Sequence, residues 1–463
     1  MALFMSAMWL AVSVQHDRHH AHWQADGRLA WSMTVLAGVA MIARGIFLGR
    51  PVTPAHAGAA GAAVIAGLGL HVLSFPVLGN TLIAGAGLAL MWPTRAAPQP
   101  DALPQVWALV DATHGDPLAP FAMHSLKSYY FSSDQLAAIA YRTQMGFAVV
   151  SGDPIGDQRQ FRVLVAEFAA MCRSRGWRIV VLGCSEHRLQ LWRDAGVIGQ
   201  SLRAVPFGRD VVIDVARFTM AGRANRNLRQ AVQRTHNAGI TTQVVAERDL
   251  DEHQLAELTE VLYASHRKAR TERGFSMILD VALQGRYPGI QIIMARDRDG
   301  RVQGFHRYAT AGGGNDVTLD VPWRRPGAPN GVDERLSVDM ISWSKDQGAR
   351  RLSLAFAAFP EIFDAGQRGT LQSVFYVLIH LGDGFIRLES LYRYLRKYHS
   401  LKNRRYALLS MHHLLPALLV MLTLEFSPRR RHLQRSPNGT NRQQRDCNSA
   451  SVVSTRSPTA APQ

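Results

Sequence analysis

The chain has 463 residues, with 52 Lys and Arg against 35 Asp and Glu, a formal charge of +17. That length allows two or three domains, and that charge calls for an anionic partner: nucleic acid, anionic lipid, or both. The three cysteines, Cys172, Cys184 and Cys447, lack metal-ligand spacing and cannot staple a fold, which argues against a disulfide scaffold and suits a reducing compartment.

Met1–Val14 is apolar but short for a membrane span, and it lacks the basic start and cleavage site of a signal peptide. Leu29–Ala43 is a longer apolar run, extended to Leu48 with only Arg44 interrupting. Gly58–Val77 and Leu78–Trp92 are two further runs, rich in Gly and Ala and broken at Pro76 and Asn80. The first of these approaches the ~20 residues that cross a bilayer, and small residues suit closely packed membrane helices. Residues 1–95 therefore read as a transmembrane helical region, with a buried helical hairpin in a soluble domain as the alternative. Four spans would put Arg50 and Arg95 on the cytoplasmic side. That makes the chain a multi-pass protein of the inner (plasma) membrane, with its following domain inside the cell.

Residues 96–104 are Pro- and Ala-rich and read as a linker. Beyond them, strands and helices alternate. Phe147–Val150 and Ile179–Leu182 are short apolar strands, with a helix over Arg162–Arg175 between them. The outline then repeats. Gln291–Ala295 and Val302–Tyr308 read as hairpin strands, Asp316–Asp320 as a strand, Leu336–Gln347 as an amphipathic helix and Arg351–Leu354 as the strand after it. Two similar α/β units in tandem, over 105–220 and 221–408, fit this repetition better than one large sheet.

Between the units, Val211–Val215 alternates as a strand and runs into an arginine-studded helix that Gly239 can cap. Arg223, Arg226 and Arg229 recur every third residue and form a basic stripe without a carboxylate. Leu228 and Val232, four apart, form the apolar stripe that docks on a sheet. The stripe suits a polyanion; the plainer reading is a surface helix that happens to be basic.

Six motifs then carry a resemblance. They are Lys127-Ser-Tyr-Tyr-Phe-Ser-Ser-Asp134, Gly152-Asp153-Pro154-Ile155-Gly156, the Asn227-Leu228-Arg229 helix, Glu272-Arg-Gly-Phe-Ser276, Ala328-Pro329-Asn330-Gly331, and Leu391-Tyr-Arg-Tyr-Leu-Arg-Lys-Tyr-His399 followed by Arg405-Tyr406. In this order, residues about 105–408 resemble the C-terminal catalytic domain of the bacterial phosphatidylglycerol lysyltransferases, the lysylphosphatidylglycerol synthases behind cationic-peptide resistance. The resemblance implies two tandem acetyltransferase-like (GNAT) folds. It implies an aminoacyltransferase that moves an aminoacyl group, lysyl in the family, from aminoacyl-tRNA to phosphatidylglycerol. Aminoacyl-tRNA is then a co-substrate, with no further cofactor. In that family the domain follows a multi-span flippase, for which the first 95 residues here are too few.

The chemistry asks for the same parts. An aminoacyl ester is already activated, so neither metal nor covalent nucleophile is required. Holding ester and hydroxyl together can supply roughly 7–11 kcal/mol, and one carboxylate can take the hydroxyl proton. No Gly-rich nucleotide loop, metal cluster or nucleophile triad competes; Gly312–Gly314 reads as a hairpin turn because no helix with Lys-Ser/Thr follows. The resemblance places its acid just after the Pro-Asn-Gly turn, where this chain has Asp333 and Glu334. Glu334 aligns best and Asp333 is the runner-up, while capping of a helix start is the structural alternative for both. Asp153 and Glu272 are substrate-binding candidates by resemblance, although Asp153 could equally brace a turn. So are Asn330 in the turn and the cations Arg226, Arg229, Lys397 and Arg405, whose helix faces suit a phosphate clamp or a solvated surface.

The chain departs from the family at Leu395, where a lysine is usual, at Ser400, where a proline is usual, and at Phe356–Phe359, which replaces a Gly-Met-Ala-Pro-like turn. Those departures keep two other functions open: a tandem acyl- or aminoacyltransferase acting on another lipid or peptide, or a non-catalytic relative that binds RNA or lipid. Ala407–Phe426 is apolar and meets Arg429–Arg431, which suits an interfacial helix or short span over 409–426 at anionic headgroups. A buried closing helix is its alternative. Residues 427–463 are Ser-, Asn-, Gln-, Arg- and Pro-rich and read as a disordered basic tail.

Overall fold

The computed structural model describes residues 35, 36, 38, 39, 54–266, 279, 281–358 and 392–425. Met1–Val14, most of Leu29–Leu48, Glu272–Ser276, Phe359 and the tail from 426 lie outside these residues.

The two Gly/Ala-rich runs form helices α1 (Pro54–Val72) and α2 (Pro76–Met91), split where Pro76 cannot continue α1. They pack closely: a side chain on Gly67 would lie 2.6 Å from Ile83 and 2.8 Å from the Gly79 carbonyl, so only glycine lets the helices meet there. Among the described residues no helix is long and apolar enough to cross a membrane. Helices α1 and α2 therefore do not meet the expectation of transmembrane spans, and the rest of that expectation, over residues 1–53, lies almost wholly outside the described residues. Helix α2 has 16 residues, about 24 Å at 1.5 Å per residue, short of a ~30 Å hydrocarbon core.

Helix α3 (Leu103–Asp111) follows the linker. Then come β1 (Ser128–Phe131), β2 (Ala137–Gln144), β3 (Phe147–Ser151), the short β4 (Ile155–Gly156), helix α4 (Phe161–Ser174), β5 (Arg178–Ser185) and β6 (Arg203–Asp214). The second half brings α5 (Arg226–Asn237), β7 (Thr241–Ala246), α6 (Glu252–His266), β8 (Ile290–Arg296), β9 (Val302–Ala311), β10 (Asp316–Arg324), α7 (Val332–Asp346) and β11 (Arg351–Ala358). A final strand, β12 (Leu401–Leu409), precedes helix α8 (Leu414–Glu425).

The repetition seen in the sequence is real, but the halves share one sheet. Its order is β1-β2-β3-β5-β12-β6-β11-β10-β9-β8-β7, with β4 on β2. In each half antiparallel strands lead into one parallel pair joined through a helix: β3 beside β5 across α4, and β10 beside β11 across α7. The last strand of each half sits with the other half. Strand β6 pairs with β11, and β12 pairs with β5 and β6. Local periodicity shows a strand but not its partner, so the sequence suggested two sheets where there is one.

Strands β3 and β5 are buried on both sides, which explains their unbroken apolar runs. Ala148, Val150, Ile179 and Val181 face α4 through Leu164 and Phe168. Phe147, Val149, Val180 and Leu182 face the opposite way, toward Ala417, Val420 and Leu424 of α8. The apolar segment expected as one helix from 409 therefore begins as the end of β12, and its helix starts at Leu414. In the second half, Leu228 and Val232 of α5 join Leu336 and Met340 of α7 on the sheet, as the apolar stripe predicts.

Gly331, at the start of α7, has φ +105° and abuts α5. A Cβ there would fall 2.4 Å from the Ala231 carbonyl oxygen. Gly331→Ala is therefore expected to destabilise the protein by roughly 1–3 kcal/mol through backbone strain and that clash. A urea unfolding midpoint unchanged by the substitution would contradict this packing.

Candidate active site

Three of the motif segments converge at the start of α7. The turn Ala328–Gly331 delivers the helix, α5 flanks it, and residues 392–399 lie across it. Arg335 of α7 reaches His236 of α5 at 2.6–2.9 Å and holds Asp339 at 2.5 Å. The ring of His399 sits 3.3 Å from the Ala224 carbonyl, tying the 392–399 segment to the loop before α5.

Glu334 is buried, and Lys397 Nζ donates to its Oε1 at 2.5 Å. Asp333 is half-buried. Its Oδ1 lies 3.3 Å from His306 Nε2, and its Oδ2 lies 3.4 Å from Arg324 Nη1. Burial works to raise the Asp333 carboxyl, but the His306 hydrogen bond and the charges of His306, Arg324 and Lys397 hold it below its ordinary value. The capping alternative predicts bonds from these carboxylates to the free N–H groups of the first turn. Among the described residues the cap is Gly331 without a side-chain bond, and both carboxylates turn to side chains instead.

Behind the pair runs a chain of hydroxyls that the sequence did not reveal. Ser337 Oγ meets Tyr394 OH at 2.5 Å and Tyr308 OH at 3.3 Å. Tyr308 OH meets His306 Nδ1 at 3.3 Å, and Tyr398 OH donates to Tyr394 OH at 3.4 Å. Burial pushes all three phenols up, so they stay protonated and serve as donors that fix the first turn of α7. His306 and Tyr308 are two apart on β9, which puts them on one face; that spacing was the available signal.

A second cluster lies in the middle of the sheet. Arg405 on β12 is buried, and its guanidinium is shared among three aspartates. Nε donates to Asp210 at 2.8 and 3.0 Å, Nη1 to Asp153 at 3.2 Å, and Nη2 to Asp116 at 2.7 Å. Nη1 also donates to the Gly183 carbonyl at 3.2 Å. One cation does not hold three buried carboxylates equally. For Asp116, burial opposes but the Arg405 charge and hydrogen bond win, and its carboxyl is lowered. Burial outweighs the pull of Arg405 at Asp153 and Asp210, which are both raised. Arg405 and Asp153, expected as separate substrate contacts, are thus brought to each other and away from solvent. Lys127, also buried, donates to the Phe121 carbonyl at 2.5 Å and to Ser151 Oγ at 2.7 Å.

The remaining candidates are spread. Arg226 is exposed on α5, and Asn330 is exposed in its turn. Arg229 bends back to the Met220 carbonyl and, at 2.7 Å, to that of Gly222, so the basic stripe loses one member to its own loop. Glu272 lies outside the described residues. Among those residues, no three His, Cys, Asp or Glu side chains converge as metal ligands.

The sheet is the one seen in solved lysylphosphatidylglycerol synthase domains. L-PGS from Bacillus licheniformis matches with a TM-score of 0.59 at 20% identity, over 71% of this chain and 98% of that one. The C-terminal domain of a putative lysylphosphatidylglycerol synthetase from Agrobacterium fabrum also gives 0.59, at 21% identity, over 70% and 97%. Residues 107–409 match the family described as phosphatidylglycerol lysyltransferase, C-terminal, and the chain belongs to that family. The MprF-like domain protein Rv1619 of Mycobacterium tuberculosis is 64% identical over 433 residues, 94% of this chain and 90% of that protein. The lysylphosphatidylglycerol biosynthesis bifunctional protein LysX of Mycobacterium bovis is 30% identical over 391 residues, and that of Rhodococcus jostii 32% over 287. The chain spans 31% and 25% of the length of those two.

Proposed function

We propose that the chain transfers an aminoacyl group, lysyl by family, from aminoacyl-tRNA to the glycerol hydroxyl of phosphatidylglycerol, with each half of the sheet an acetyltransferase-like unit and the protein held at the inner face of the plasma membrane. The Glu334–Lys397 pair, set where three family motifs meet, carries this reading. Glu334 takes the proton of the lipid hydroxyl. The hydroxyl oxygen then bonds to the aminoacyl carbonyl carbon as the bond from that carbon to the ribose oxygen breaks, and the ribose oxygen receives the proton. Lys397, released from Glu334 as substrate enters, faces the developing oxyanion or the lipid phosphate. Asp333, braced by His306 and Arg324, fixes the helix start that presents Glu334.

Cells overexpressing the chain should accumulate a ninhydrin-positive aminoacyl lipid, and cells expressing Glu334→Gln should not. Lipid extracts identical to the vector control would refute the proposal. Arg226 is the exposed cation assigned to the tRNA backbone. Arg226→Glu should lower the log–log salt slope of tRNA binding by about one unit or more. An unchanged slope would remove Arg226 from the contact.

A further inference from the structure

Helix α8 has two apolar sides. Ala417, Val420, Met421 and Leu424 are sealed against β3 and β5. Leu415, Leu419 and Leu422, on the other side, are 79, 52 and 54% exposed. A helix fastened along one side to a sheet cannot cross a bilayer, and its 12 described residues reach only about 18 Å. It can lie flat.

Its position defines an edge. Thr423 accepts a hydrogen bond at 2.9 Å from Gln144, at the end of β2. His413 is close enough to Arg178, at the start of β5, to feel its charge. The helix therefore runs along the sheet edge where β2 ends and β3 and β5 begin. Met145, in the turn between β2 and β3, is exposed at that edge. The chain leaving α2 is tied to the same place: Trp177 Nε1 donates to Thr94 at 2.9 Å, and the Ala96 amide donates to Thr143 Oγ1 at 2.7 Å. The α1–α2 hairpin, whose Val72, Phe75 and Val77 are exposed, thus joins the sheet at the edge that α8 borders. Arg95, Arg175 and Arg178 accompany these apolar groups.

The geometry points to this edge as a bilayer-docking surface for anionic lipid. The Leu415–Leu419–Leu422 row sinks into the headgroup–acyl boundary, with Arg95, Arg175 and Arg178 level with the phosphates. The hairpin and α8 then form two attachments on one side of the first half, which fixes how the sheet stands on the membrane. The inference shares the membrane setting of the proposed function but needs no turnover.

The test uses the full chain with Cys447→Ser, reconstituted into phosphatidylglycerol–phosphatidylcholine vesicles. One spin label is placed at Leu419→Cys, and another, in a separate variant, at Gln135→Cys before the opposite end of β2. Cys172 and Cys184 are buried and stay unlabelled. The label at 419 should be relaxed by oxygen and shielded from a water-soluble nickel complex; the label at 135 should show the reverse. Equal nickel access at both positions would overturn the inference. So would label–label broadening at 419, because a second copy would then cover the row. Leu419→Trp quenched by brominated lipid gives the same readout should the label disturb the helix; no quenching would count against it. A deep 419 in a protein that makes no aminoacyl lipid would sink the transferase reading and leave this one standing.

Discussion

Glu334→Gln is expected to slow aminoacyl-lipid formation by about 10²–10⁴, the usual contribution of a positioned general base. The change is isosteric and keeps a hydrogen-bond acceptor for Lys397, so the melting midpoint should move by only a few degrees. Glu334 is buried while Lys397 is 36% exposed, and the ion pair is worth little as a stabiliser where solvent reaches one partner. Asp333→Asn separates the roles of the two neighbours. It weakens the contacts to His306 and Arg324 and should cost stability more than turnover. Transfer assays run beside thermal melts decide the matter. If Glu334→Gln keeps near-parental turnover and only melts earlier, the carboxylate is structural and the assignment falls.

Arg405→Leu is expected to destabilise the protein by about 3–5 kcal/mol, because it leaves the carboxylates of Asp116, Asp153 and Asp210 buried without their cation. The deficit should depend on pH. Without the guanidinium, burial raises all three carboxyls above their unfolded values, and a raised carboxyl destabilises the fold more as pH climbs. The variant should therefore lie nearest the parent protein at low pH and fall away as pH rises. Arg405→Lys should recover only part of the loss, since one ammonium cannot fork to three partners. Urea titrations between pH 5 and 8 measure this. A variant of parental stability that has lost only tRNA or vesicle binding would instead make Arg405 a phosphate contact.

The strands at 147–151 and 178–185 and the helix at 161–174 were legible because unbroken apolar runs and a 3.6-residue period are local signals. The crossing of β6 and β12 was not, because pairing partners far apart in the chain, such as Arg351 with Asp214 and Arg405 with Ser185, leave no mark on either segment. Glu334 and Lys397 were found through the resemblance, and only folding shows that they touch. Arg405 read as part of a phosphate clamp on a helix face, since a positive charge in a sequence does not say that its segment is a strand or which way that strand turns it. Asp116 sits in Gly115-Asp116-Pro117, which reads as an ordinary turn. His306 and Tyr308 lie on a strand buried along nearly its whole length, where the alternation that would expose a polar face disappears.

The exchanged terminal strands also bear on how the chain is made. Strand β5 has no neighbour on one side until residues 401–409 arrive, and β6 waits for β11 and β12. The hydrogen bonds of Arg405 close loops of 195, 252 and 289 residues. During synthesis the first half must therefore leave the ribosome with an open edge and three uncompensated aspartates, and it stays so until residues 401–409 have emerged. The sheet cannot close before residues 401–409 join it, and a product that stops short of residue 401 is expected to expose strand edges that invite aggregation.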